Sequence, residues 1–343
     1  MLDYKKTGTF LASKRKQAQM TQADVAQKLG VSFQSVSKWE NGTLPFPEIP
    51  HPVLVLKSEE PGSKQKLAME YGYSESICHD MINHLVNDIM VMGARPLAVL
   101  DTIVCGSAEK ETIKSFIKGI SDACRENGCS LVGGETSIQP QVVEKGVYVL
   151  TSSIAGILSK DKVIDGSGIT EGDTVLAVAS NGLHTNGYSL VRMLMDQMPQ
   201  IKLEKIDGET FIEQIMKPHT TYRNAIRNLL ECPGIHGMAH ITGGGIQGNL
   251  CRILPDNLYA DIDLSKIKTL PIFRYIQRIG NIDEAEMLST FNCGVGLIVV
   301  VSERYAEQTI RNIAKYHDCY EIGRIRKGNG KVLFTNSVNW ESS

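Results

Sequence analysis

The 343-residue chain lacks any C-x-x-C pair, any apolar run long enough to cross a bilayer, and any wealth of aromatic side chains, which make up 6 % of it. Its eight cysteines are scattered, and the closest two, Cys124 and Cys129, have nothing beside them to complete a zinc set. They read as reduced structural thiols, which places the protein in the cytoplasm. The longest apolar runs, such as Val295–Val301, are strand-sized and far short of a membrane span. Residues 1–6 carry charge and no apolar stretch, so no secretory signal is expected. Few aromatics with 31 glycines favour a loop-rich α/β enzyme over a coiled coil or a disordered scaffold.

What is present fits a soluble protein of two or three domains: 42 % hydrophobic and 22 % charged residues. The net charge of −2 is unevenly spread. Residues 1–45 hold seven Lys/Arg against three Asp/Glu, and the remainder holds 29 against 35. A small basic head on a mildly acidic body is the balance expected if only the head meets a polyanion.

The head reads as two short helices around a tight turn. Thr21 caps the first, with Asp24 three residues on, and Val25, Ala26 and Leu29 form its apolar face. Gly30 supplies the left-handed turn, Ser32 caps the second helix over Val36 and Trp39, and Asn41-Gly42 ends it. The segments T-Q-x-x-V-A (21–26), L-G-V-S (29–32) and S-x-W-E-N-G (37–42) resemble a repressor-type helix-turn-helix. That resemblance implies that Gln34, Ser35, Ser37 and Lys38 face the major groove of double-stranded DNA, with Lys14, Arg15 and Lys16 near its backbone. Pro45, Pro47, Pro50 and Pro52 stand where further helices would follow, so a trimmed module used for protein contact is the alternative.

In the body, Ile77, Met81, Leu85 and Ile89 mark one face of a helix over 74–92. Asp80 and Asn87 are two turns apart and emerge within about 20° of each other. With Asp88 beside them and Asp101 after the strand-like 97–100, they offer hard oxygen ligands for Mg²⁺ carrying ATP phosphates, or else are solvated carboxylates on a helix surface. His84, four residues from both Asp80 and Asp88, reads as a helix-surface histidine in preference to a metal ligand. Gly133-Gly134-Glu135-Thr136 is either a plain turn or a close backbone approach to a ligand. The run 241–245, Ile-Thr-Gly-Gly-Gly, feeds a helix over 246–254 and forms a phosphate cradle of free N–H groups. His184, on a second glycine-rich loop, is expected to face a ligand. Strands are expected at 146–157, 174–180 and 294–301.

Five segments stand in one order: V-N-D-I-M-V-M-G-A-R-P-L (86–97), L-V-G-G-E-T (131–136), S-N-G-L-H-T-N-G-Y-S-L-V-R (180–192), H-I-T-G-G-G (240–245) and M-L-S-T-F-N-C-G-V-G (287–296). From Pro52 to the C-terminus the chain resembles the phosphoribosylformylglycinamidine cyclo-ligases, or aminoimidazole ribonucleotide synthetases. The resemblance implies an α/β (α+β) two-domain synthetase fold, with two subunits pairing four-stranded sheets into a dimeric barrel. The all-α head would span 1–45 and the synthetase domains 46–164 and 165–343. It implies ATP and Mg²⁺, with Ser63, Lys64, Asn87, Asp88, Asp101, Gly133, Gly134, Glu135 and Thr136 at ATP and phosphate, and Asp80, Asp88 and Asp101 at the metal. His184, Asn186, Gly187, Thr242, Gly243, Gly244 and Gly245 would hold the ribonucleotide substrate, and Lys64 and His184 would be catalytic.

The chain also departs from that family. The helix-turn-helix replaces the family's N-terminal segment that closes over ATP, and the T-D-G-V-G-T-K loop appears as Ser58-Glu-Glu-Pro-Gly-Ser-Lys64. Two functions are therefore expected: an ATP-dependent cyclo-ligase, or a synthetase-like sensor that regulates DNA binding by its head.

Overall fold

The computed structural model describes residues 4–29, 32–41 and 49–341. The chain divides into two compact units, one of residues 1–53 with 158–161 and one of 54–157 with 162–343. Among the described residues no helix is long and apolar enough to cross a membrane.

The first unit contains helices α1 (Tyr4–Gln17), α2 (Gln22–Leu29) and α3 (Phe33–Glu40). Thr21 and Asp24 form a reciprocal cap: the Thr21 N–H donates to Asp24 Oδ2 at 2.7 Å and the Asp24 N–H to Thr21 Oγ1 at 3.1 Å. Ser32 accepts from the Ser35 N–H and caps α3. Ala26 and Val36 are buried, and Val25 and Trp39 half-buried. The side chain of Leu29, and Gly30, Gly42, Pro45 and Pro47, lie outside the described residues. Helix α1 is an addition to the two helices expected; its sequence carries no apolar stripe and leaves Phe10 and Leu11 exposed, so periodicity could not show it. Arg15 does not reach outward as expected. Its guanidinium grips the Glu40 carboxylate (2.8 Å) and the Met20 carbonyl (2.8 Å), binding α1 to the end of α3. Lys14, Lys16, Gln34 and Lys38 are exposed, and Ser35 and Ser37 half-buried.

In the second unit, strands β1 (Pro52–Glu59), β2 (Arg95–Cys105), β3 (Ser130–Ile138) and β4 (Tyr148–Ser159) form a sheet of order β1-β4-β2-β3. Helices α4 (Lys64–Tyr71), α5 (Ser76–Met90) and α6 (Lys110–Glu126) accompany it, α6 packing on α5 and β3. On the sheet's open face Leu54, Leu56 and Leu100 are 61 %, 74 % and 51 % exposed.

The C-terminal half is built on β5 (Thr174–Ala179), β8 (Ile235–His240), β9 (Leu258–Asp263), β10 (Val295–Val301), β11 (Cys319–Lys327) and β12 (Val332–Thr335), in the order β12-β9-β11-β5-β10-β8. A hairpin of β6 (Lys205–Ile206) and β7 (Glu209–Thr210) stands apart. Helices α7 (Tyr188–Gln197), α8 (Phe211–Ile215), α9 (Arg223–Leu229), α10 (Gly245–Leu250), α11 (Pro271–Gly280), α12 (Glu284–Thr290) and α13 (Ala306–Ile313) fill the remainder. All seven residues of β10 are buried, as its unbroken apolar run requires of a central strand.

Helix α5 buries Ile77, Met81, Leu85 and Ile89 as expected, but its polar face is buried as well. That face reads the backbone of residues 217–222. The Asp80 carboxylate accepts from the His219 N–H (2.7 Å), and Asn83 donates to the His219 carbonyl (2.7 Å). Asn87 donates to the Thr220 carbonyl (2.9 Å) and accepts from the Tyr222 N–H (2.9 Å).

Lys64 completes this seam from α4. Its ammonium donates to Asp80 (2.8 Å) and to the carbonyls of His184 (3.1 Å) and Lys217 (2.7 Å). An ammonium has three protons, and all three are committed. Lys64, Asp80 and Asn87 are each fully buried. The structure therefore corrects three expected roles: Lys64 and Asn87 are not placed to hold phosphate, nor Asp80 a metal, because each is spent joining the two synthetase halves. Burial pulls the Lys64 ammonium down and pushes the Asp80 carboxyl up to about 6, the neighbouring ammonium opposing that rise.

Replacing Lys64 by Met leaves Asp80 buried without its cation, and a loss of about 3–5 kcal/mol is expected. Urea denaturation checks this, and the Lys64→Met/Asp80→Asn double variant is expected to recover part of the loss.

Candidate functional site

Two clefts on the second unit are lined by residues expected at the site, and they share no lining residue. The first, of about 370 Å³, lies along the edge strand β3 and is lined by Asp101, Ile117, Leu131, Gly133, Gly134, Glu135 and Thr136. The glycines are not in a turn: they lie within β3, where Gly134 pairs with Asp101 of β2. A Cβ on Gly134 would sit 2.1 Å from Asp101 Oδ1, so only glycine permits this approach. Burial raises the Asp101 carboxyl, and among the described residues it has no ion-pair partner. Glu135 and Thr136 are exposed beside it.

The second cleft, of about 480 Å³, is bounded by Lys57 and Glu59 of β1, His84 and Asp88 of α5, Asn186, His240, Thr242, Gly243, Asn249 and Arg252. The two glycine-rich loops meet there, since a Cβ on Gly243 would lie 3.3 Å from Asn186 Oδ1. Asn249 braces the triple-glycine turn by donating to the carbonyls of Thr242 (3.3 Å), Gly243 (3.2 Å) and Gly245 (2.8 Å). Asp88 takes a ring N–H from His240 (2.7 Å) and faces Lys57 (3.1 Å) and His84 (3.5 Å). Burial works against its charge, but the histidine hydrogen bonds outweigh it and hold the carboxyl well below the usual carboxylate range. Lys57 also pairs with Glu59 (3.0 Å).

Several expected site residues lie elsewhere. Asp80, Asp88 and Asp101 do not converge on one metal: the first is locked in the seam and the others face different clefts. Ser63, at the start of α4, lines neither. Gly187 has φ +80° and no room for a Cβ, which would meet the Phe291 ring at 2.0 Å; at Gly245 (φ +59°) it would meet the Leu288 carbonyl at 1.8 Å. These two glycines are required by packing against protein, not by a ligand. Gly244, the intervening residue, is exposed outside the lining.

His184 is 1 % exposed and does not face the cleft. It is held at φ +60°, a backbone region that β-substituted residues rarely occupy. Its ring stacks on His219 with centroids 3.9 Å apart. His219 in turn lies 4.9 Å from His240 and 5.3 Å from His84, with His84 and His240 5.2 Å apart. His84 is thus a member of a buried four-histidine cluster, not a helix-surface residue, because its helix is covered on both sides. Gly296 makes room for the cluster, where a Cβ would lie 1.8 Å from Tyr222 Oη and 2.8 Å from His184 Cε1. Burial, then the neighbouring histidines, pull His184 and His219 well below the usual imidazole range, so both are neutral. Both ring nitrogens of His184 and Nδ1 of His219 are buried without a partner, and each such atom costs about 1–3 kcal/mol.

His240, His219, Lys57 and Arg252 were not singled out from sequence. His240 heads H-I-T-G-G-G and could have been found there. His219 carries no local signal, since only the tertiary fold brings residue 219 to residues 84, 184 and 240.

Comparison with known proteins agrees with this architecture. Residues 54–158 match the model of the AIR synthase related protein N-terminal domain, 170–336 that of its C-terminal domain, and 11–47 a helix-turn-helix model. The chain is 40 % identical over 294 residues to a phosphoribosylformylglycinamidine cyclo-ligase of Bacillus cytotoxicus, covering 84 % of each protein. It is 42 % identical over 278 residues to that of Methylobacillus flagellatus, covering 80 % of each. The fold is shared with E. coli HypE, a hydrogenase maturation protein (TM-score 0.60, 19 % identity, 84 % of each chain). It is shared also with a thiamine-monophosphate kinase from Stenotrophomonas maltophilia (TM-score 0.60, 17 % identity, 84 % of this chain and 87 % of that one). With both domain models matched in order, and curated relatives at this identity over four-fifths of its length, the chain belongs to the AIR synthase related family, and it carries a helix-turn-helix segment ahead of the two family domains.

Proposed function

We propose that the protein is an ATP-dependent cyclo-ligase that converts formylglycinamidine ribonucleotide to aminoimidazole ribonucleotide, working as a cytoplasmic homodimer. The observation that carries this reading is the convergence of Asn186, Thr242 and Gly243, from the two glycine-rich loops, on a cleft that also holds the cations Lys57 and Arg252. Such a cleft suits a phosphate-bearing ribonucleotide. The first cleft suits the nucleotide: Asp101, Glu135 and Thr136 are hard oxygen donors beside a glycine backbone, the set that Mg²⁺ prefers. When bound, Mg²⁺ would neutralise triphosphate charge there.

In the reaction the γ-phosphoryl group of ATP passes to the formamide oxygen. An internal nitrogen attacks the activated carbon, the ring closes, and inorganic phosphate leaves with ADP as the other product. That sequence needs positioning and charge neutralisation more than a strong nucleophile. It therefore requires no catalytic role of the buried Lys64 or His184.

Phosphate release with ATP, Mg²⁺ and formylglycinamidine ribonucleotide tests the reading. Wild-type protein should release phosphate only with substrate present. Asp101→Asn should lower the rate by about tenfold or more, and Arg252→Ala should raise the substrate KM about tenfold, equivalent to about 1.4 kcal/mol. Absence of release by wild-type protein would overturn the assignment.

The dimer is supported by the apolar open face of the first sheet, because exposed leucines clustered on one face of a strand layer favour a partner. Leu56→Asp is expected to convert the dimer to a monomer in sedimentation velocity, and a wild-type monomer would refute the assembly.

The exposed Gln34 and Lys38 of α3 favour a second reading, in which the head binds double-stranded DNA and the synthetase body acts as a sensor. Fluorescence anisotropy at low salt should show binding that weakens as salt rises, with Lys38→Ala reducing both affinity and salt dependence. Absence of binding at low salt would leave the head a protein-contact module.

A further inference from the structure

We propose that His184, His219 and His240 form a binding site for a divalent transition-metal cation of the zinc and cobalt class, with Asp88 orienting His240. The three side chains come from three separate segments, and each offers a ring nitrogen within 4.8 Å of the other two. They are 1 %, 1 % and 5 % exposed.

Three arguments carry the assignment. The first is orphaned chemistry: both nitrogens of His184 are buried with no partner, and a cation would take one of them. Hydrophobic packing alone would not select imidazoles for these positions.

The second is orientation. His240 donates its Nδ1–H to Asp88 at 2.7 Å, which fixes the tautomer and leaves a lone pair on Nε2. The Asn87 amide lies 3.4 Å from that same Nε2, as a donor to a lone pair would. A carboxylate behind a histidine is the usual support of an imidazole that ligates a metal.

The third is spacing. The Nε2 atoms of His219 and His240 are 2.8 Å apart and share one proton. Two imidazole nitrogens on one tetrahedral zinc stand about 3.3 Å apart, given bonds of about 2.0–2.1 Å. Opening the pair by about half an ångström, moving the His219 proton from Nε2 to Nδ1 and turning the His184 ring out of its stack on His219 would let the three imidazoles take the cation.

Imidazole nitrogens select zinc, cobalt, nickel or copper over magnesium, so this site is chemically distinct from the oxygen-lined first cleft. The charge of nearby Lys64 is matched by Asp80, and Asp88 and Glu59 contribute negative charge on the cleft side. His240 both lines the second cleft and belongs to the trio, so the cleft is the route of entry and the open side for a further ligand. An alternative set, His84, Asp88 and His240, lies on the cleft side. Its members already have partners, His84 facing Asp88 and Glu59 and Asp88 facing Lys57, which is why the inner trio is favoured.

The test is titration of chelator-treated full-length protein with Co²⁺, followed by the visible d–d absorption of the bound ion. One saturable equivalent, displaced by Zn²⁺, is expected, and X-ray absorption should count three imidazole ligands. His219→Ala should weaken binding by at least about 100-fold. Asp88→Asn should weaken it by about 10–100-fold, as loss of a supporting carboxylate does. His84→Ala should change affinity less than threefold or so, by the same logic of ligand against bystander. The proposal is overturned if wild-type protein shows no saturable binding, or if fewer than two imidazoles coordinate. It is overturned equally if His84→Ala abolishes binding while His219→Ala retains it. Should His219→Ala fail to fold, the ligand count on wild-type protein decides. Every readout is independent of turnover, so failure here and failure of the cyclo-ligase assignment are told apart.

Discussion

A single buried ammonium holds the synthetase body in the form described. Lys64 carries a positive charge to a place with no solvent, and only a complete set of partners makes that tolerable: one carboxylate and two backbone carbonyls. Two of those partners, Asp80 and the His184 carbonyl, belong to elements that build the site itself. Asp80 passes the constraint on to the His219 N–H, and Asn83 and Asn87 on the same helix extend it to residue 222. The positions of His184 and His219 are thus fixed by hydrogen bonds to their backbone, which leaves both ring nitrogens of His184 without a partner. The histidine cluster exists because the seam is satisfied by main chain.

The same seam explains what the sequence could and could not disclose. The apolar face of α5 was legible, since Ile77, Met81, Leu85 and Ile89 recur at helical spacing. Its polar face invited the opposite conclusion: Asp80, His84 and Asn87 at two-turn spacing look like groups presented to solvent or to a metal. Periodicity tells which residues share a face but not what covers it, and here both faces are covered. Lys64 was misread for the same reason, because a lysine after glycine and serine resembles a phosphate ligand until its three acceptors, 16, 120 and 153 residues away, are known.

Glycines show a similar division. The sequence marked the glycine-rich loops correctly as special, but glycine answers two demands that composition cannot separate. At Gly134 the absent side chain lets a carboxylate approach, and at Gly243 it lets two loops meet over a cleft. At Gly187 and Gly245 it relieves collisions with Phe291 and Leu288 deep in the protein. Strands β4, β5 and β10 were placed within two residues of their observed ends because alternation or continuous apolarity is a local property. Helix α1 escaped notice because a lysine-rich helix packed through a buried glycine and an arginine clamp leaves no hydrophobic period to read.

The division of ligand chemistry between the two clefts follows from where each lies. Glu135 and Thr136 stand exposed on the edge strand β3 beside the buried Asp101 of β2, where a hard, hydrated ion would find oxygen ligands. Carboxylates could not be moved to the inner position at the seam without a cation of their own, as the commitment of Lys64 to Asp80 illustrates. Neutral imidazoles can be buried there, because they carry lone pairs without carrying charge, and burial pulls His184 and His219 well below the usual imidazole range. On the proposed assignments, burial would separate a nucleotide-bearing magnesium ion from a nitrogen-bound transition metal before any geometric preference acts. Exchange of the two is opposed by desolvation: an oxygen-only inner site would need uncompensated charge, and an imidazole outer site would lose its neutrality to solvent protons.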